Sequence, residues 1–269
     1  MKKILILGCG HMGSSLLKAW LSKTNNIYFI VDPIQYKNIN KKFKGKAEAF
    51  KNIEDVKNLK LIDIIIFAVK PQILNDVLKS FAKLKLRKET VFISIVAGKK
   101  IKLFNKHLQV KNQFIRVMPN MPALINQGMT CLLANNNVTN NNKKIVNSLF
   151  LHIGKTLWLK NEIEINKVTA ISGSGPGYIF LFIDAFEKAA LKLGLGEKIT
   201  KNLVKQTLLG SVNLFSEMDK KASILANEIA VKGGTTEAAL NEFKNNKILH
   251  QTFVKAIRSA YKKANELGK

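Results

Sequence analysis

The sequence predicts an α/β fold in which a first domain with a parallel sheet is followed by an all-helical second domain. Over the first 160 residues, short apolar runs alternate with longer amphipathic stretches, which is the pattern of βαβ units. After about Asn161 these runs disappear and helical periodicity continues to the end of the chain. We therefore divide the 269 residues into domains at 1–160 and 161–269, each long enough to bury a core.

The strands predicted for the first domain are apolar without regular alternation, as strands covered by helices on both faces require. Helices are predicted between them where apolar residues recur at helical spacing. The strands are Lys3–Leu7, Ile27–Val31, Leu61–Val69, Val91–Val96, Phe114–Val117, Met129–Leu133 and Thr156–Leu159, and the helices are His11–Leu21, Gln72–Leu84 and Asn141–His152.

Glycines separate the helices predicted for the second domain. Gly194 and Gly196 follow the first helix, and Gly233 and Gly234 precede the fourth, as glycines at helix ends do. The helices are Tyr178–Leu193, Ile199–Phe215, Ala222–Ala230, Thr235–Phe243 and Leu249–Leu267.

A formal net charge of +26, from 44 basic and 18 acidic residues, first suggests a partner rich in phosphate. Only three of the 44 are arginines, although arginine is the residue favoured for bidentate contacts to guanine and phosphate. The lysines are spread over the whole chain, and asparagine is also frequent, with 27 residues. A bias of composition explains the charge better than a binding face does, so we expect no nucleic-acid partner.

The cysteines and histidines are not spaced as metal ligands or disulfide partners. Cys9 and Cys131 form no C-x-x-C pair and the four histidines are scattered, so we predict neither a disulfide frame nor a metal site. The apolar run Ile4–Leu7 is shorter than that of a signal peptide, and charged residues interrupt Tyr178–Leu195, the longest apolar span. We expect a soluble protein in a reduced, cytoplasmic setting, with no membrane partner.

A glycine-rich turn follows directly on the first predicted strand. Residues 8–13 read Gly8-Cys-Gly10-His-Met-Gly13, with the G-x-G-x-x-G spacing of dinucleotide-binding folds. The first glycine permits a tight turn, the second lets the backbone approach a pyrophosphate, and the helix directs its N–H groups and dipole at the anion. The motif predicts a Rossmann-like dinucleotide-binding domain, although a purely structural turn would use the same glycines.

Asp32 ends the second predicted strand, where an acidic side chain accepts hydrogen bonds from the adenosine ribose and repels a 2′-phosphate. This position slightly favours NAD. NADP stays open because Lys37, Lys41 and Lys42 follow closely, and Asp32 could equally be a turn residue before Pro33.

Three further segments follow predicted strands, at the edge of the sheet where ligands of such folds lie. They outline a cleft floor made of backbone and small side chains. The segments are Ala68-Val69-Lys70-Pro71, Ser94-Ile95-Val96-Ala97-Gly98 and Arg116-Val-Met-Pro-Asn120-Met-Pro122.

The whole chain resembles the pyrroline-5-carboxylate reductases in five segments that occur in the family's order. The last two segments are specific to that family, whereas the first is shared with many dehydrogenases. The five are Gly8 to Met12, Ala68 to Pro71, Arg116 to Pro122, Ser172-Gly-Ser-Gly-Pro176-Gly-Tyr178 and Gly233-Gly234-Thr235-Thr236.

The resemblance implies reduction of the cyclic imine 1-pyrroline-5-carboxylate to L-proline, the last step of proline synthesis, by hydride from NADH or NADPH. It also implies a helical dimerisation domain and a homodimer or larger homo-oligomer. Hydride transfer to an imine carbon chiefly needs positioning and exclusion of water, so no constellation of acid–base groups is required. The cofactor contacts expected are Gly8, Cys9, Gly10, His11, Met12, Asp32, Asn52, Ala68, Val69, Lys70, Pro71, Ile95, Val96 and Ala97.

In the substrate half, the resemblance places four consecutive residues at the substrate carboxylate: Lys232, Gly233, Gly234 and Thr235. A helix N-terminus is suited to this because it offers free N–H groups and the positive end of a dipole. Thr236 is expected to be catalytic, by hydrogen bonding the ring nitrogen or relaying its proton, although a threonine there could simply cap the helix. Ser172 is expected either to contact the substrate or to allow close helix packing.

The chain departs from the family at three positions. Val231-Lys232 stands where Ser-Pro is usual, and we hypothesise that Lys232 compensates for the lost hydroxyl with a cation near the carboxylate. His11 stands where asparagine is frequent, and Gly177 where alanine is.

Two other functions fit part of the sequence. Another imine or β-hydroxyacid reductase would share the glycine turn but not the Gly-Gly-Thr-Thr helix opening, and six-membered cyclic imines stay open as substrates. A basic nucleic-acid-binding protein that retains a dinucleotide fold is predicted by the charge alone.

Overall fold

The computed structural model describes residues 1–81, 84, 86–108 and 112–268. The chain forms two compact units, one of residues 1–174 with 260–269 and the other of residues 175–259. The domain boundary at residue 160 stays a prediction. Residues 82 and 83 of the predicted helix Gln72–Leu84 and the terminal Lys269 lie outside the described residues.

An eight-stranded sheet forms the centre of the first unit, in the order β3-β2-β1-β4-β5-β6-β7-β8. The strands from β1 to β6 are parallel, as predicted, but β7 is antiparallel to β6, and β8 runs parallel to β7. The prediction of a parallel sheet is wrong at β7 because residues 119–127 are too few for a crossover to a parallel strand. The strands are β1 Lys3–Leu7, β2 Ile27–Val31, β3 Ala47–Phe50, β4 Ile64–Phe67, β5 Val91–Ser94, β6 Gln113–Met118, β7 Gly128–Ala134 and β8 Gly154–Trp158.

The helices of the first unit connect these strands, and those of the second unit follow one another. The last helix, α11, passes from the second unit into the first at residue 260. The helices are α1 His11–Lys23, α2 Tyr36–Lys42, α3 Leu74–Phe81, α4 Ile101–His107, α5 Asn140–Leu151, α6 Glu162–Val168, α7 Gly175–Leu191, α8 Glu197–Glu217, α9 Ala222–Ile229, α10 Thr235–Lys244 and α11 Ile248–Leu267.

Helices cover both faces of the sheet, which explains why its central strands β1, β4 and β5 are almost continuously apolar. Ile4 and Ile6 of β1 pack on the face covered by α1 and α5, and Leu5 and Leu7 pack on the face covered by α3 and α4. All four side chains are buried. Burial of each contributes about 1.5–3 kcal/mol, so the two cores fix the strands whose ends form the site.

One strand and three helices were not predicted from the sequence. The edge strand β3 has the sequence Ala-Glu-Ala-Phe, which contains no apolar run, and only Ala49 in it is buried. The helices α2, α4 and α6 have seven residues each, which is too short for a clear helical period.

The second unit leaves large apolar side chains uncovered within a single chain. Phe180 and Leu181 of α7 and Val212 of α8 are each more than half exposed. Exposed apolar area of this kind marks a protein–protein contact surface. Among the described residues, no helix is both long enough and apolar enough to cross a membrane.

Candidate active site

The segments predicted to bind the cofactor lie at one edge of the sheet. Because β1 to β5 are parallel, their carboxyl ends meet at this edge, which we call the cofactor edge. The structure therefore brings together Gly8 to Met12 after β1, Asp32 after β2, Asn52 after β3, Ala68 to Pro71 after β4 and Ile95 to Ala97 after β5.

The three glycines of the turn after β1 differ in the space that a side chain would find. Gly8 has a φ of +88°, and a Cβ there would lie 2.9 Å from the Ala68 carbonyl oxygen. A Cβ on Gly13 would lie 2.6 Å from the Gly8 carbonyl oxygen. A Cβ on Gly10 would have no atom of the described residues within 4 Å. The fold therefore requires glycine at 8 and 13, whereas the space in front of Gly10 is open and would let a ligand approach the backbone.

The N-terminus of α1 is suited to bind a pyrophosphate. Its N-cap is Gly10, no side chain caps the helix, and no acidic residue lies in its first turn. The first intrahelical bond begins at Ser14, whose N–H donates to the Gly10 carbonyl at 2.9 Å. The N–H groups before it carry the positive end of the helix dipole and have no intrahelical partner. These residues fit the phosphates of a dinucleotide.

Asp32 holds the turn of the cofactor edge through its buried carboxylate. Oδ2 accepts the Cys9 N–H at 2.7 Å, and Oδ1 accepts the N–H groups of Ile34 at 2.9 Å and Gln35 at 2.8 Å. The side chain thus braces both the glycine turn and the turn after β2. A contact to the cofactor ribose stays a prediction, and it would use the remaining lone pairs of the same oxygens.

Cys9 contributes its backbone to this turn rather than a reactive thiol. Burial, and secondarily the charge of Asp32, raise the pKa of the Cys9 thiol to about 11. The thiol is therefore protonated at neutral pH and has little nucleophilic character.

Asn52 begins a 3₁₀ turn directly after β3. Its N–H donates to Asp55 Oδ2 at 3.0 Å, and the Asp55 N–H donates to the Asn52 carbonyl at 3.3 Å. The side chain is exposed at the cofactor edge, and its contact to the ribose stays a prediction.

The turn after Ile95 to Ala97 is held by residues that the sequence analysis missed. Gly98 has a φ of +74° and packs directly against Leu267 at the end of α11, whose carbonyl oxygen would lie 3.0 Å from a Cβ on Gly98. Glu162 Oε1 accepts the Ile101 N–H at 2.9 Å and pairs with the buried Arg116 at 3.2 Å. The C-terminal end of α11 is therefore part of the support of the cofactor edge.

We expect Gly98→Ala to be more harmful than Gly45→Ala, which is a matched control. Both glycines have a left-handed φ, but a Cβ on Gly45 meets no described atom within 4 Å. Gly45→Ala should cost about 1–2 kcal/mol from backbone strain alone. Gly98→Ala should cost about 1–3 kcal/mol more, because Leu267 must move, and should also weaken NAD(P)H binding. Thermal unfolding and fluorescence titration measure both effects; equal losses in the two variants would contradict this role of Leu267.

The Gly-Gly-Thr-Thr segment forms the start of α10 in the second unit. Gly233 has a φ of +74° and donates its N–H to Glu237 at 2.8 Å. Gly234 is the N-cap and no side chain caps the helix, so the alternative of a threonine cap is wrong. Thr235 and Thr236 occupy the first two helical positions, where N–H groups lack intrahelical acceptors. Thr236 is half-buried, whereas Thr235 is exposed.

Lys232 and Ser172 lie in different settings. Lys232 is exposed just before this helix start. Ser172 lies in a π-helical turn, Thr169–Gly173, of the first unit, and its hydroxyl donates to the Val168 carbonyl at 3.0 Å. The roles of both residues toward the substrate stay predictions.

The doubly wound sheet, the glycine turn and the uncapped start of α1 define a dinucleotide-dependent oxidoreductase. Two family models match the chain. Residues 3–98 match the model described as NADP oxidoreductase, coenzyme F420-dependent, and residues 162–267 match the one described as pyrroline-5-carboxylate reductase dimerisation.

The chain belongs to the pyrroline-5-carboxylate reductase family. It is 30% identical to the pyrroline-5-carboxylate reductase of Haemophilus influenzae over 99% of this chain and 97% of that protein. The enzyme of Arabidopsis thaliana is also 30% identical, over 99% of this chain and 95% of its own.

Two solved structures are similar over nearly their whole length. The pyrroline carboxylate reductase of Plasmodium falciparum, solved with NADP bound, has a TM-score of 0.84 and 30% identity, and covers 100% of this chain and 98% of its own. The enzyme of Coxiella burnetii has a TM-score of 0.87 and 27% identity, and covers 99% and 98%.

These findings confirm the predicted fold class, function and cofactor. The chain is an NAD(P)H-dependent oxidoreductase that acts on a cyclic C=N bond. The match to the dimerisation model indicates a homo-oligomer, and membership of the family indicates a small-molecule substrate. The alternative reductases on the same fold are not favoured.

Proposed function

We propose that this chain reduces 1-pyrroline-5-carboxylate to L-proline with the first unit holding NAD(P)H and the start of α10 holding the substrate. The observation that carries the cofactor half is the open space at Gly10 in front of the uncapped α1, in a chain whose relatives bear this activity. The bound cofactor supplies a hydride to the imine carbon, and the ring nitrogen gains a proton.

The residues of the cofactor edge bind and orient. The N–H groups at the start of α1 neutralise the pyrophosphate, and Asp32 keeps Cys9 and the following turn in place. The segments Ala68 to Pro71 and Ile95 to Ala97 lie against the rest of the cofactor and exclude water from one side of it. Holding two reactants in this way supplies most of what hydride transfer to an electrophilic carbon needs.

The start of α10 binds the substrate carboxylate. The N–H groups of Thr235 and Thr236 and the helix dipole favour an anion there, and Lys232 adds a cation close by. The Thr236 hydroxyl hydrogen bonds the ring nitrogen and relays a proton to it, and the hydroxyl regains that proton from solvent. Ser172 is the further residue that contacts the substrate.

We also infer that the chain assembles through its second unit and works in the cytoplasm. The exposed apolar side chains of α7 and α8 pair two copies of the chain into a homodimer, which can assemble further. No nucleic acid or membrane takes part. Cys9 and Cys131 are both free, which suits a reduced cytoplasm.

The experiment is to follow the absorbance of NADH and of NADPH when 1-pyrroline-5-carboxylate is added to the purified protein. We expect oxidation of the cofactor. The faster of the two reactions identifies the preferred cofactor, and a preference for NADH would support the expectation that Asp32 disfavours a 2′-phosphate. A six-membered cyclic imine and a β-hydroxyacid serve as comparison substrates. No oxidation of either cofactor by 1-pyrroline-5-carboxylate would overturn the proposal.

A further inference from the structure

Asn120 joins three segments of the first unit at the carboxyl end of β6. Its side chain is only 9% exposed. Oδ1 accepts the Met129 N–H at 2.8 Å, and Nδ2 donates to the Ser172 carbonyl at 3.0 Å. Because Met129 belongs to β7 and Ser172 to the π-helical turn, one amide group ties the sheet to the segment that leads into α7.

The Ser172 carbonyl lacks its usual α-helical donor because of the sequence that follows it. In an α-helix this carbonyl would accept the N–H four residues later, but that residue is Pro176, which has none. The chain forms a π turn instead, in which the Ser174 N–H donates to the Thr169 carbonyl at 2.8 Å. Such turns occur frequently at functional sites. Asn120 supplies the donor that proline withholds.

The residues around Ser172 are fixed to the sheet by further contacts. Burial raises the pKa of the Cys131 thiol of β7, and the Ser172 side chain opposes part of that rise. A Cβ on Gly173 would lie 3.9 Å from the Met118 sulfur at the end of β6. Residues 172–174, which we call the π segment, therefore lie at the carboxyl end of β6 and beside the amino-terminal half of β7.

This place corresponds to the nicotinamide half of the cofactor edge. The strand order reverses at β1 and β4, so β1 to β3 carry the adenosine half of a dinucleotide and β4 to β6 carry the other half. The reacting carbon of the cofactor belongs to that second half. A residue that fixes the π segment at β6 thus acts next to the reacting atoms and far from the adenosine.

We propose that Asn120 is a positioning residue, whose amide holds the π segment at the carboxyl end of β6 so that the imine meets the nicotinamide in the reactive geometry. The inference rests on the proposed function. Asn120 acts through Ser172 and Met129 and does not itself take part in the transfer of hydride or proton. Its loss should lower kcat and leave the binding of the cofactor unchanged.

Asn135 is a matched control within the same pair of strands. Its Oδ1 accepts the Phe114 N–H at 3.1 Å, and its Nδ2 donates to the Asn112 carbonyl at 3.0 Å. The amide thus makes the same two kinds of bond as Asn120, but at the amino end of β6, away from the cofactor edge.

The experiment compares Asn120→Ala with Asn135→Ala in steady-state kinetics on the whole enzyme. We expect Asn120→Ala to lower kcat roughly ten- to a hundredfold, since small misplacements of reactants are costly, with the NAD(P)H KM within about twofold of the wild type. Asn135→Ala should keep kcat within about threefold. Equal kcat values in the two variants, or a loss of Asn120→Ala confined to the cofactor KM, would overturn the proposal.

Hydrogen exchange tests the anchoring itself without substrate. Peptides that cover residues 169–177 should exchange faster in Asn120→Ala than in the wild type, and their exchange rate should be unchanged in Asn135→Ala. Unaltered exchange in Asn120→Ala would overturn the proposal. This result stands even if the wild type fails to reduce 1-pyrroline-5-carboxylate, which would overturn the proposed function alone. If Asn120→Ala does not fold, Asn120→Asp replaces it, since it keeps the acceptor for Met129 but turns an oxygen toward the Ser172 carbonyl. Wild-type kcat in Asn120→Asp would be decisive against the idea.

Discussion

Gly10→Ala is expected to leave the fold intact and to weaken binding of NAD(P)H roughly ten- to a hundredfold, or by about 1.4–2.8 kcal/mol. The added methyl meets no described atom within 4 Å in the protein, so it clashes only with a ligand that approaches the backbone. The φ of −67° at Gly10 is one that alanine adopts readily. Alanine at the N-cap costs up to about 1 kcal/mol, so the melting temperature should change little.

Gly13→Ala is the control for this prediction. Its methyl would lie 2.6 Å from the Gly8 carbonyl oxygen, so the turn itself must shift and the protein should lose stability as well as cofactor binding. Thermal unfolding together with fluorescence titration of NADH and NADPH separates the two variants. If Gly10→Ala bound both cofactors as the wild type does, the glycine turn would be structural and the pyrophosphate would not lie there.

Thr236→Ala is expected to lower kcat roughly a hundredfold while the KM of NAD(P)H stays unchanged. In the proposed mechanism the hydroxyl at this half-buried position donates to the ring nitrogen, and loss of a positioned proton donor typically costs 10²-fold or more. The N–H groups of the helix start remain in the variant, so the substrate carboxylate should still bind. Steady-state kinetics with varied 1-pyrroline-5-carboxylate gives kcat and KM separately.

Two neighbouring variants make this second prediction specific. Thr236→Ser keeps the hydroxyl and should recover most of kcat, whereas Thr235→Ala removes an exposed hydroxyl and should leave kcat within about threefold. A wild-type kcat in Thr236→Ala, or an equal loss in Thr236→Ser and Thr236→Ala, would refute the role of the Thr236 hydroxyl.

Much of the fold could be predicted because its strong elements have local signals. The predicted strands Lys3–Leu7 and Ile27–Val31 coincide with β1 and β2, since strands buried on both faces must be apolar without interruption. The edge strand β3 could not be found, because a half-exposed edge imposes no such pattern. The reversal at β7 could have been predicted, because the predicted strands on either side of it leave only residues 118–128 between them, too few for a parallel crossover.

The cofactor edge could be predicted from the ends of strands, but its supports could not. The glycine turn, Ala68 to Pro71 and Ile95 to Ala97 follow predicted strands and therefore meet at one edge. Glu162 pairs with a residue 46 positions away, and Asn120 bonds a carbonyl 52 positions away. Contacts of this kind arise only when the sheet has formed. Pro176 is a local signal of the Asn120 contact, because a proline four residues after Ser172 removes the N–H that would bond the Ser172 carbonyl in an α-helix.

The transfer of an isotope label tests the central claim most directly. NADH or NADPH that carries deuterium at C4 of the nicotinamide is incubated with the protein and 1-pyrroline-5-carboxylate, and the product is analysed by mass spectrometry. We predict L-proline with the deuterium at C5, the former imine carbon, as direct hydride transfer within the site requires. Unlabelled L-proline under conditions in which the label lies on the transferred face, or no L-proline with either cofactor, would contradict the account.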